Sequence, residues 1–270
     1  MFKKLQKTAL LFMVLGAGVV SSALAQTPVD TLTPGSGKLL SSALKPGIRQ
    51  YLVYTQQTAK SKMLGLSYWV RDVKAGQRNG EKVIMITQHW YGTDTLNYRT
   101  TYSVNRAAGF APIYHTETLH GDTRAFNWGP TQITGADTVA ANALKTFKLD
   151  FKVPAFNWNL DIETFEQLPL AAGKAFAISF YDAGVSQPNF VLYKVNGSEI
   201  LTLFDNTKTD CWILLTEGKA PNGTAYTQSF WISKKGHEFI KEEDRYGGNT
   251  RVKIKLAGAA PNVVAAYKIN

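Results

Sequence analysis

The sequence predicts an all-β protein: one large, curved antiparallel sheet that forms an open or half β-barrel, with one or two short helices. Two observations carry this prediction. From position 48 onward, short runs rich in Tyr, Val, Ile, Thr, Phe and Trp follow one another, separated by turn residues. Several of these runs alternate apolar and polar side chains, as strands with one buried face do.

The first 25 residues have the pattern of a cleavable secretory signal peptide. Three lysines and no acid precede an apolar run over about 9–20, and Ala23-Leu24-Ala25 then supplies small residues at both recognition positions of a signal peptidase. The apolar run is shorter than the ~20 residues that a bilayer requires. We therefore predict cleavage before Gln26 and a periplasmic or secreted protein that does not span a membrane.

Three further segments follow from composition. Residues 26–46 are rich in Pro and Gly, which predicts an extended, linker-like lead-in. Residues 47–256 carry the strand pattern throughout and are long enough to bury one core, so we predict a single antiparallel half-barrel domain. The tail 257–270 contains Ala and Pro and is predicted to be peripheral.

The individual strands and turns are predicted from the same pattern. The candidate strands are 48–57, 64–75, 81–91, 95–105, 112–119, 123–127, 146–153, 174–181, 189–196, 199–205, 210–217, 224–233, 237–244 and 249–256. The predicted hairpin turns are Asn79-Gly80, Asn196-Gly197, Asn222-Gly223 and Gly247-Gly248. Asn and Gly tolerate the positive φ that tight hairpin turns require.

Helix is predicted only at about 160–167 and, more weakly, at 136–144. Within the first segment Asp161 is placed to cap the helix, and Glu163 and Glu166 suit the helix dipole as solvated acids. The alternative is that paired carboxylates perform acid–base work on a glycoside.

The mature chain is basic. Removal of the three signal-peptide lysines lowers the formal net charge from +10 to +7. Arg251, Lys253 and Lys255 alternate with apolar residues, which predicts one wet, basic strand face. Such a face is either an ordinary solvated surface or a site for anionic headgroups or glycans. No recognition helix or zinc module is present in the pattern, so nucleic acid is not expected as a partner.

The remaining reactive side chains predict no catalytic site, metal site or cofactor. Cys211 is the single cysteine and lies in an apolar stretch, so a buried, inert thiol is expected. His115 and Glu117 share a strand face while His120 falls in the turn, a poor arrangement for converging metal ligands. His237 is expected on the far side of a hairpin tip.

Tryptophans are the candidate ligand-binding residues. They are Trp69, Trp90, Trp158, Trp212 and Trp231, all in or beside apolar runs. Large rings on a concave sheet can line an apolar pocket. They can equally fill an ordinary core, because both arrangements have the same period of two.

The C-terminal half also carries a family resemblance. Its motifs are Phe180-Tyr181-Asp182, the run from Tyr193 to Glu199, Cys211-Trp212 and the run from Ser229 to Glu243. They resemble uncharacterised exported β-proteins of Gram-negative bacteria, a domain of unknown function similar to the lipoprotein carriers of the Lol system. The resemblance covers about 170–256 and implies a half-barrel with an apolar concave face and an envelope location. It transfers no functional residue, and the cleavage site lacks the Cys of lipid-anchored carriers.

Three hypotheses for function follow. The favoured one is a non-catalytic periplasmic protein that binds or carries an apolar or amphipathic ligand, such as a lipid, on its concave aromatic face. The second is a structural or assembly protein of the cell envelope with a protein partner. The third is a hydrolase of an envelope polymer, which requires an acid and a His or a second acid to converge in one cleft.

Overall fold

The computed structural model describes residues 28–60, 62–92, 98–184 and 187–257. The predicted signal peptide, the start of the predicted strand 95–105 and nearly all of the predicted tail lie outside these residues. Within them, no helix has the length and apolar character needed to cross a membrane.

Sixteen strands and one short α-helix make up the described part of the chain. The strands are β1 Val29–Leu32, β2 Gly47–Gln57, β3 Lys62–Arg78, β4 Glu81–Tyr91, β5 Arg99–Arg106, β6 Pro112–Leu119, β7 Asp122–Trp128, β8 Gln132–Gly135, β9 Lys148–Asp150, β10 Phe156–Asn157, β11 Ala175–Tyr181, β12 Asn189–Thr202, β13 Lys208–Lys219, β14 Ala225–Ser233, β15 Phe239–Tyr246 and β16 Asn249–Lys255. A 3₁₀ turn, Trp158–Leu160, leads into α1, Asp161–Phe165.

All of these strands belong to one open sheet. Its order is β1-β11-β12-β13-β14-β15-β16-β2-β3-β4-β5-β6-β7-β8-β9, with β10 joined to β11. Most neighbours are antiparallel and consecutive in the chain, as hairpin connections dictate. The exceptions are β16 beside β2, which joins the two halves of the chain, and β1 and β10, which run parallel to β11. The predicted all-β, open half-barrel class is therefore confirmed.

The sheet curves around the segment that contains α1. Phe165 of α1 contacts the rings of Phe180, Tyr193 and Phe230, which come from three different strands. Tyr51 and Trp69, from the other half of the sheet, belong to the same buried cluster. Strands far apart in the sheet order thus share one core, and α1 fills much of the concave side.

Most predicted hairpins are confirmed, and one is wrong. Asn79 and Gly80 have φ values of 50° and 79° between β3 and β4, as a tight turn between twisted strands requires. The pairs at 222–223 and 247–248 also join neighbouring strands. Asn196-Gly197, however, lies inside β12, where the register with β13 shifts between Val195 and Ser198. The pair forms a β-bulge, so the two predicted strands are one.

The lead-in 26–46 is more tightly packed than predicted. It contributes β1, whose residues pair with β11, and the side chains of Leu32 and Leu44 are buried. Leu40 also donates its backbone N–H to the carbonyl of Gln167, 2.8 Å away. The lead-in reaches the core because β11 offers an unpaired edge, a feature that local Pro and Gly content does not reveal.

The helix predicted at 136–144 is wrong, and this segment consists of turns. Buried Asn142 explains the difference, because its side chain bonds to backbone groups that a helix or strand would use. Its Nδ2 donates to the carbonyl of Ala125 at 2.8 Å and to that of Ala136 at 3.0 Å, while its Oδ1 accepts from the N–H of Ala125. The first predicted helix is confirmed in shortened form as α1.

Candidate functional site

The inner face of the sheet carries charge, which corrects the prediction for β16. Directly opposite residues of antiparallel strands share a face. Lys253 is opposite Val53 of β2 and Glu242 of β15, and Val53 belongs to the inner core. The basic row Arg251, Lys253 and Lys255 therefore lies on the inner face, where Lys253 is buried while the side chain of Arg251 remains 44% exposed. It is not free for anionic headgroups, because each member is paired with an acid.

Glu242 is the centre of this inward-facing network. Its carboxylate forms ion pairs with Arg251 and with Lys253, whose Nζ lies 2.6 Å from Oε2. Burial alone would raise the pKa of Glu242, but Lys253 and Arg251 outweigh it and lower the pKa to about 2. Asp244 binds Arg251 at 2.6 Å, yet burial and the neighbouring charge of Glu242 raise its pKa to about 6. Glu242 is therefore ionised at neutral pH, whereas Asp244 exchanges its proton close to pH 6.

The acids of α1 are not all solvated, which corrects a second prediction. Glu163 and Glu166 are almost completely buried and face Arg71 of β3, which is also buried. Arg71 Nη2 donates to Glu166 Oε1 at 2.7 Å, and the same oxygen accepts from the N–H of Phe239 at 2.9 Å. Two carboxylates thus share one guanidinium, and Glu166 ties α1 to β3 and β15 at once.

A cleft of about 220 Å³ remains open on the concave side between α1 and strands β3–β5 and β14–β16. Its lining is dominated by charged, amide and indole side chains. The lining residues are Trp69, Gln88, Trp90, Arg99, Trp158, Asn159, Asp161, Ile162, Glu163, Asp182, Gln228, Glu242, Arg251 and Lys253. The space is smaller than the ~300–1,000 Å³ of pockets that enclose a drug-sized ligand.

Three of the five predicted tryptophans meet in this cleft. Trp69 and Trp90 stack at 5.4 Å between ring centroids, and Trp158 packs against Phe180. Cations already lie over two of these rings: Lys253 Nζ is 4.5 Å from the centroid of Trp69, and the guanidinium of Arg99 is 4.7 Å from that of Trp90. Among the described cation–ring contacts, none involves Trp158.

The other two tryptophans lie elsewhere. Trp212 is opposite Ile232 on the inner face but packs against the core, with Lys234 Nζ over its ring at 4.3 Å. Trp231 is on the outer face, in a cluster with Cys211 and Ile240, and its Nε1 donates to Glu199. Neither lines the cleft.

Polar side chains hold the wall of the cleft in place. Gln88 accepts from Trp69 Nε1 at 3.2 Å and donates to the carbonyl of Asn159 at 2.9 Å. Arg99 pairs with Glu117 and also donates to the side chain of Asn159. Asn159 in turn donates to Asp182 at 3.3 Å. This chain of bonds fixes the 3₁₀ turn against β4 and β5.

Asp161 and Asp182 are the two acids of the cleft without an ion-pair partner in the described part of the chain. Burial raises the pKa of Asp161 to about 7, and the carboxylates of Glu242 and Glu163 add to the shift against the opposing charge of Lys253. Burial and the charge of Glu117 also raise the pKa of Asp182. Asp161 was predicted to be a helix cap, but among the described residues its carboxylate accepts only from the N–H of Ile162.

The three predicted histidines and the cysteine lie outside the cleft. His115 is buried, bonds to Ser103 at 2.8 Å, and has its pKa lowered to about 3 by burial and by Arg99. His120 lies in the turn after β6, and His237 in the turn between β14 and β15. Cys211 is buried as predicted, and burial raises the pKa of its thiol to about 12. Among the described residues, no three His, Cys, Asp or Glu side chains form a metal-binding group.

Sequence reasoning identified Trp69, Trp90 and Trp158 but missed the polar half of the cleft. Arg71, Arg99 and Glu242 gave no motif, because they come from different strands and meet only through the sheet curvature. One signal was present in the sequence, because Arg71 interrupts the apolar run of β3. A charged side chain on a buried face requires an ion-pair partner.

Comparison with known proteins places the chain in a family. The chain belongs to the DUF3108 family of proteins of unknown function, which matches residues 50–256. It is similar to the crystal structure of a β-barrel-like protein of the domain of unknown function DUF1849 from Brucella abortus, with 10% identity, a TM-score of 0.48, and coverage of 77% of this chain and 96% of that chain. No curated protein matches. A β-protein family of unknown function is thus confirmed, and the similarity to Lol-system carriers stays a prediction.

Proposed function

We propose that this member of the DUF3108 family is a non-catalytic binding protein of the cell envelope, exported to the periplasm, whose concave cleft receives the polar head of an amphipathic ligand such as a lipid. The observation that supports the proposal is the cleft itself. It is open on the concave side, walled by three tryptophans, and lined by side chains that internal bonds already hold in place. Preorganised polar groups reduce the cost of ordering on binding.

The size and lining of the cleft decide which part of the ligand enters. The aromatic core around Phe165 fills the part of the concave side next to the cleft. A volume of about 220 Å³ accommodates a head group rather than a pair of acyl chains. The apolar part of an amphipathic ligand would then lie outside the cleft, along the rim near Trp158.

Native mass spectrometry of the protein from a periplasmic extract, followed by organic extraction, tests this proposal. We expect a mature chain that begins at Gln26 and a co-purified amphipathic molecule. Trp158→Ala should lose the ligand, whereas Trp231→Ala, the matched tryptophan on the outer face, should retain it. A clean mass without ligand, even after incubation with envelope lipids, contradicts the proposal. A co-purified protein in its place supports the assembly hypothesis instead.

A hydrolase is the second candidate, because the cleft brings acids of different character together. The pKa of Asp161 is raised to about 7 and that of Glu242 is lowered to about 2. Pairs whose environments separate their pKa values in this way serve as acid and base in many active sites. No histidine joins them, since His115, His120 and His237 lie elsewhere. We expect no release of reducing ends from envelope polysaccharides; a release that Asp161→Asn abolishes would establish the enzyme instead.

A further inference from the structure

The charges of the cleft are not balanced. Three cations line it, and internal acids already hold all three: Glu117 holds Arg99, Glu242 holds Lys253, and Glu242 and Asp244 together hold Arg251. An incoming anion would have to displace one of these carboxylates. The cleft therefore has no spare positive charge for an anionic ligand.

Negative charge, in contrast, is in excess. Asp161 and Asp182 line the cleft with no cation within ion-pair distance among the described residues. Asp161 accepts one backbone hydrogen bond and Asp182 accepts one from Asn159. Each ionised carboxylate offers about four acceptor positions, so both have capacity for further donors.

Glu163 provides an independent observation. Its side chain is only 1% exposed, yet its Oε1 accepts no hydrogen bond. This oxygen forms an ion pair with Arg71 Nη1 at 3.7 Å, which is too long for a hydrogen bond, and Glu163 lines the cleft. A buried carboxylate oxygen without a donor is costly, and a donor from a bound ligand would satisfy it.

The aromatic walls favour the same kind of ligand. Lys253 and Arg99 already place positive charge over the rings of Trp69 and Trp90. Trp158 lines the same cleft three residues before Asp161, and the described cation–ring contacts leave it without a cation. A cation beside Trp158 would interact both with the face of the indole ring and with the carboxylates of Asp161 and Asp182.

We propose that the group this cleft binds is an organic ammonium ion, held by Asp161 and Asp182 against Trp158, with Glu163 accepting one of its N–H groups. This inference rests on the proposed binding function and specifies the ligand head. The ammonium belongs either to the head of an amphiphile or to a small free amine. A neutral hydroxyl group would donate one hydrogen bond but leave the charge excess in place.

A matched series of ligands with one tail tests the inference on the mature, unmodified protein. Octylamine, octanoate and octanol share an eight-carbon chain and differ only in the head group. Calorimetric titration at pH 7.5 should give octylamine a Kd at least about tenfold lower than octanoate or octanol, since one charge-assisted hydrogen bond has about this effect. Ethanolamine separates the two sources: weaker binding than octylamine indicates an amphiphile, and equal binding indicates a free amine. Either result supports the ammonium site.

Substitutions locate the binding in the cleft. Asp161→Asn/Asp182→Asn should weaken octylamine binding at least about tenfold. The control Asp137→Asn, an exposed acid in the turn after β8, should leave it unchanged. Circular dichroism establishes that each variant is folded, and the ligand series on the unmodified protein does not depend on them.

The outcomes separate this inference from the proposed function. Equal binding of all three octyl ligands, or stronger binding of octanoate, overturns the ammonium site while the binding function stands. Native extraction without any ligand, together with no binding of any octyl compound, overturns both.

Discussion

Two halves of the same concave face differ in the number of charged side chains they carry. The aromatic half, formed by β11–β14 around Phe165, is a filled core; the charged half, formed by β15, β16 and β2–β5, surrounds the cleft. Both halves belong to one continuous sheet. The aromatic half contains Phe176, Ile178, Phe180, Tyr193, Leu214 and Phe230. The charged half contains Arg71, Arg99, Glu242, Arg251 and Lys253.

The helix α1 explains the difference. It presents Phe165 to the aromatic half and Glu163 and Glu166 to Arg71 in the charged half. Apolar side chains pack to full density and leave no space. Paired charges must instead satisfy their hydrogen bonds in fixed directions, which leaves gaps between them. One five-residue helix therefore divides the concave side into a core and a cleft.

The largest expected effect on stability concerns the ion pairs between Arg71 and the two glutamates of the α1 segment. Arg71→Met leaves Glu163 and Glu166 buried without their cation, so the free energy of unfolding should fall by about 3–5 kcal/mol. Urea denaturation at pH 7, followed by tryptophan fluorescence, measures it. The triple variant Arg71→Met/Glu163→Gln/Glu166→Gln removes the stranded charges and should recover most of the loss. A loss below about 1 kcal/mol in the single variant would show that the triad is not effectively buried.

The aromatic half should respond almost as strongly to a cavity. Phe165→Ala removes a ring that contacts three strands and should lower the free energy of unfolding by about 3–4 kcal/mol. Phe165→Leu, the smaller change, should lose less than half as much. Because the charged half is untouched, octylamine binding should stay within about twofold in folded Phe165→Leu protein. A large loss of binding would mean that the two halves are coupled through α1.

A smaller effect depends on pH. The pKa of Asp161 is raised to about 7 by burial, whereas the same carboxyl titrates near 4 in an unfolded chain. The folded state then binds a proton more tightly than the unfolded state, so this residue makes stability fall as pH rises from about 4 to 7. Asp161→Asn should remove the contribution of this residue to that slope and increase the free energy of unfolding at pH 8 by about 1–3 kcal/mol.

Urea denaturation at pH 4, 6 and 8 tests this sign. Glu242 loses its stabilisation only below about pH 4.5, so it affects the measurement at pH 4, and Asp244, whose pKa is raised to about 6, lowers stability between pH 4 and 6. The difference between Asp161→Asn and wild type at pH 8 is therefore the decisive comparison. Asp137→Asn is the matched control and should keep the wild-type slope. An Asp161→Asn variant that is less stable than wild type at pH 8 would contradict the raised pKa.

The smallest effect is expected at a solvent-exposed ion pair of β15 that does not contact the cleft. Arg245 binds Glu243 at 2.7 Å, but its side chain is 72% exposed. Arg245→Ala should therefore change the free energy of unfolding by about 0.5 kcal/mol or less, as for other solvated pairs. A loss comparable to that of Arg71→Met would show that burial does not set the energetic difference between these two arginines.

The strands were largely predictable because their signal is local. Alternation and turn residues define β4 and β6 at the observed bounds, and β2 within one residue. The failures have non-local causes. β1 depends on the edge of a distant strand, and the Asn142 segment depends on backbone groups of β7. Asn196-Gly197 has turn chemistry, but it is absorbed by a bulge within a longer pairing.

The site was predictable only for its aromatic walls. Large rings beside apolar runs marked Trp69, Trp90 and Trp158, but the same signal marked Trp212 and Trp231, which lie outside the cleft. The period of two also separated the faces of β16, but the basic face was wrongly assigned to solvent, because alternation alone does not identify the inner face. Lys253 is buried because Glu242 is opposite it on β15, and such a pairing is known only from the register.

The pairing of β1 with β11 also governs when the molecule can be completed. β1 is among the first described residues of the chain, and its partner Ala175–Ile178 emerges only after β2–β10 have been made. During synthesis from the N-terminus, β1 therefore has no partner strand until β11 has been made. Such long-range contacts form slowly. Synthesis that stops before β11 therefore leaves β1 without its partner strand.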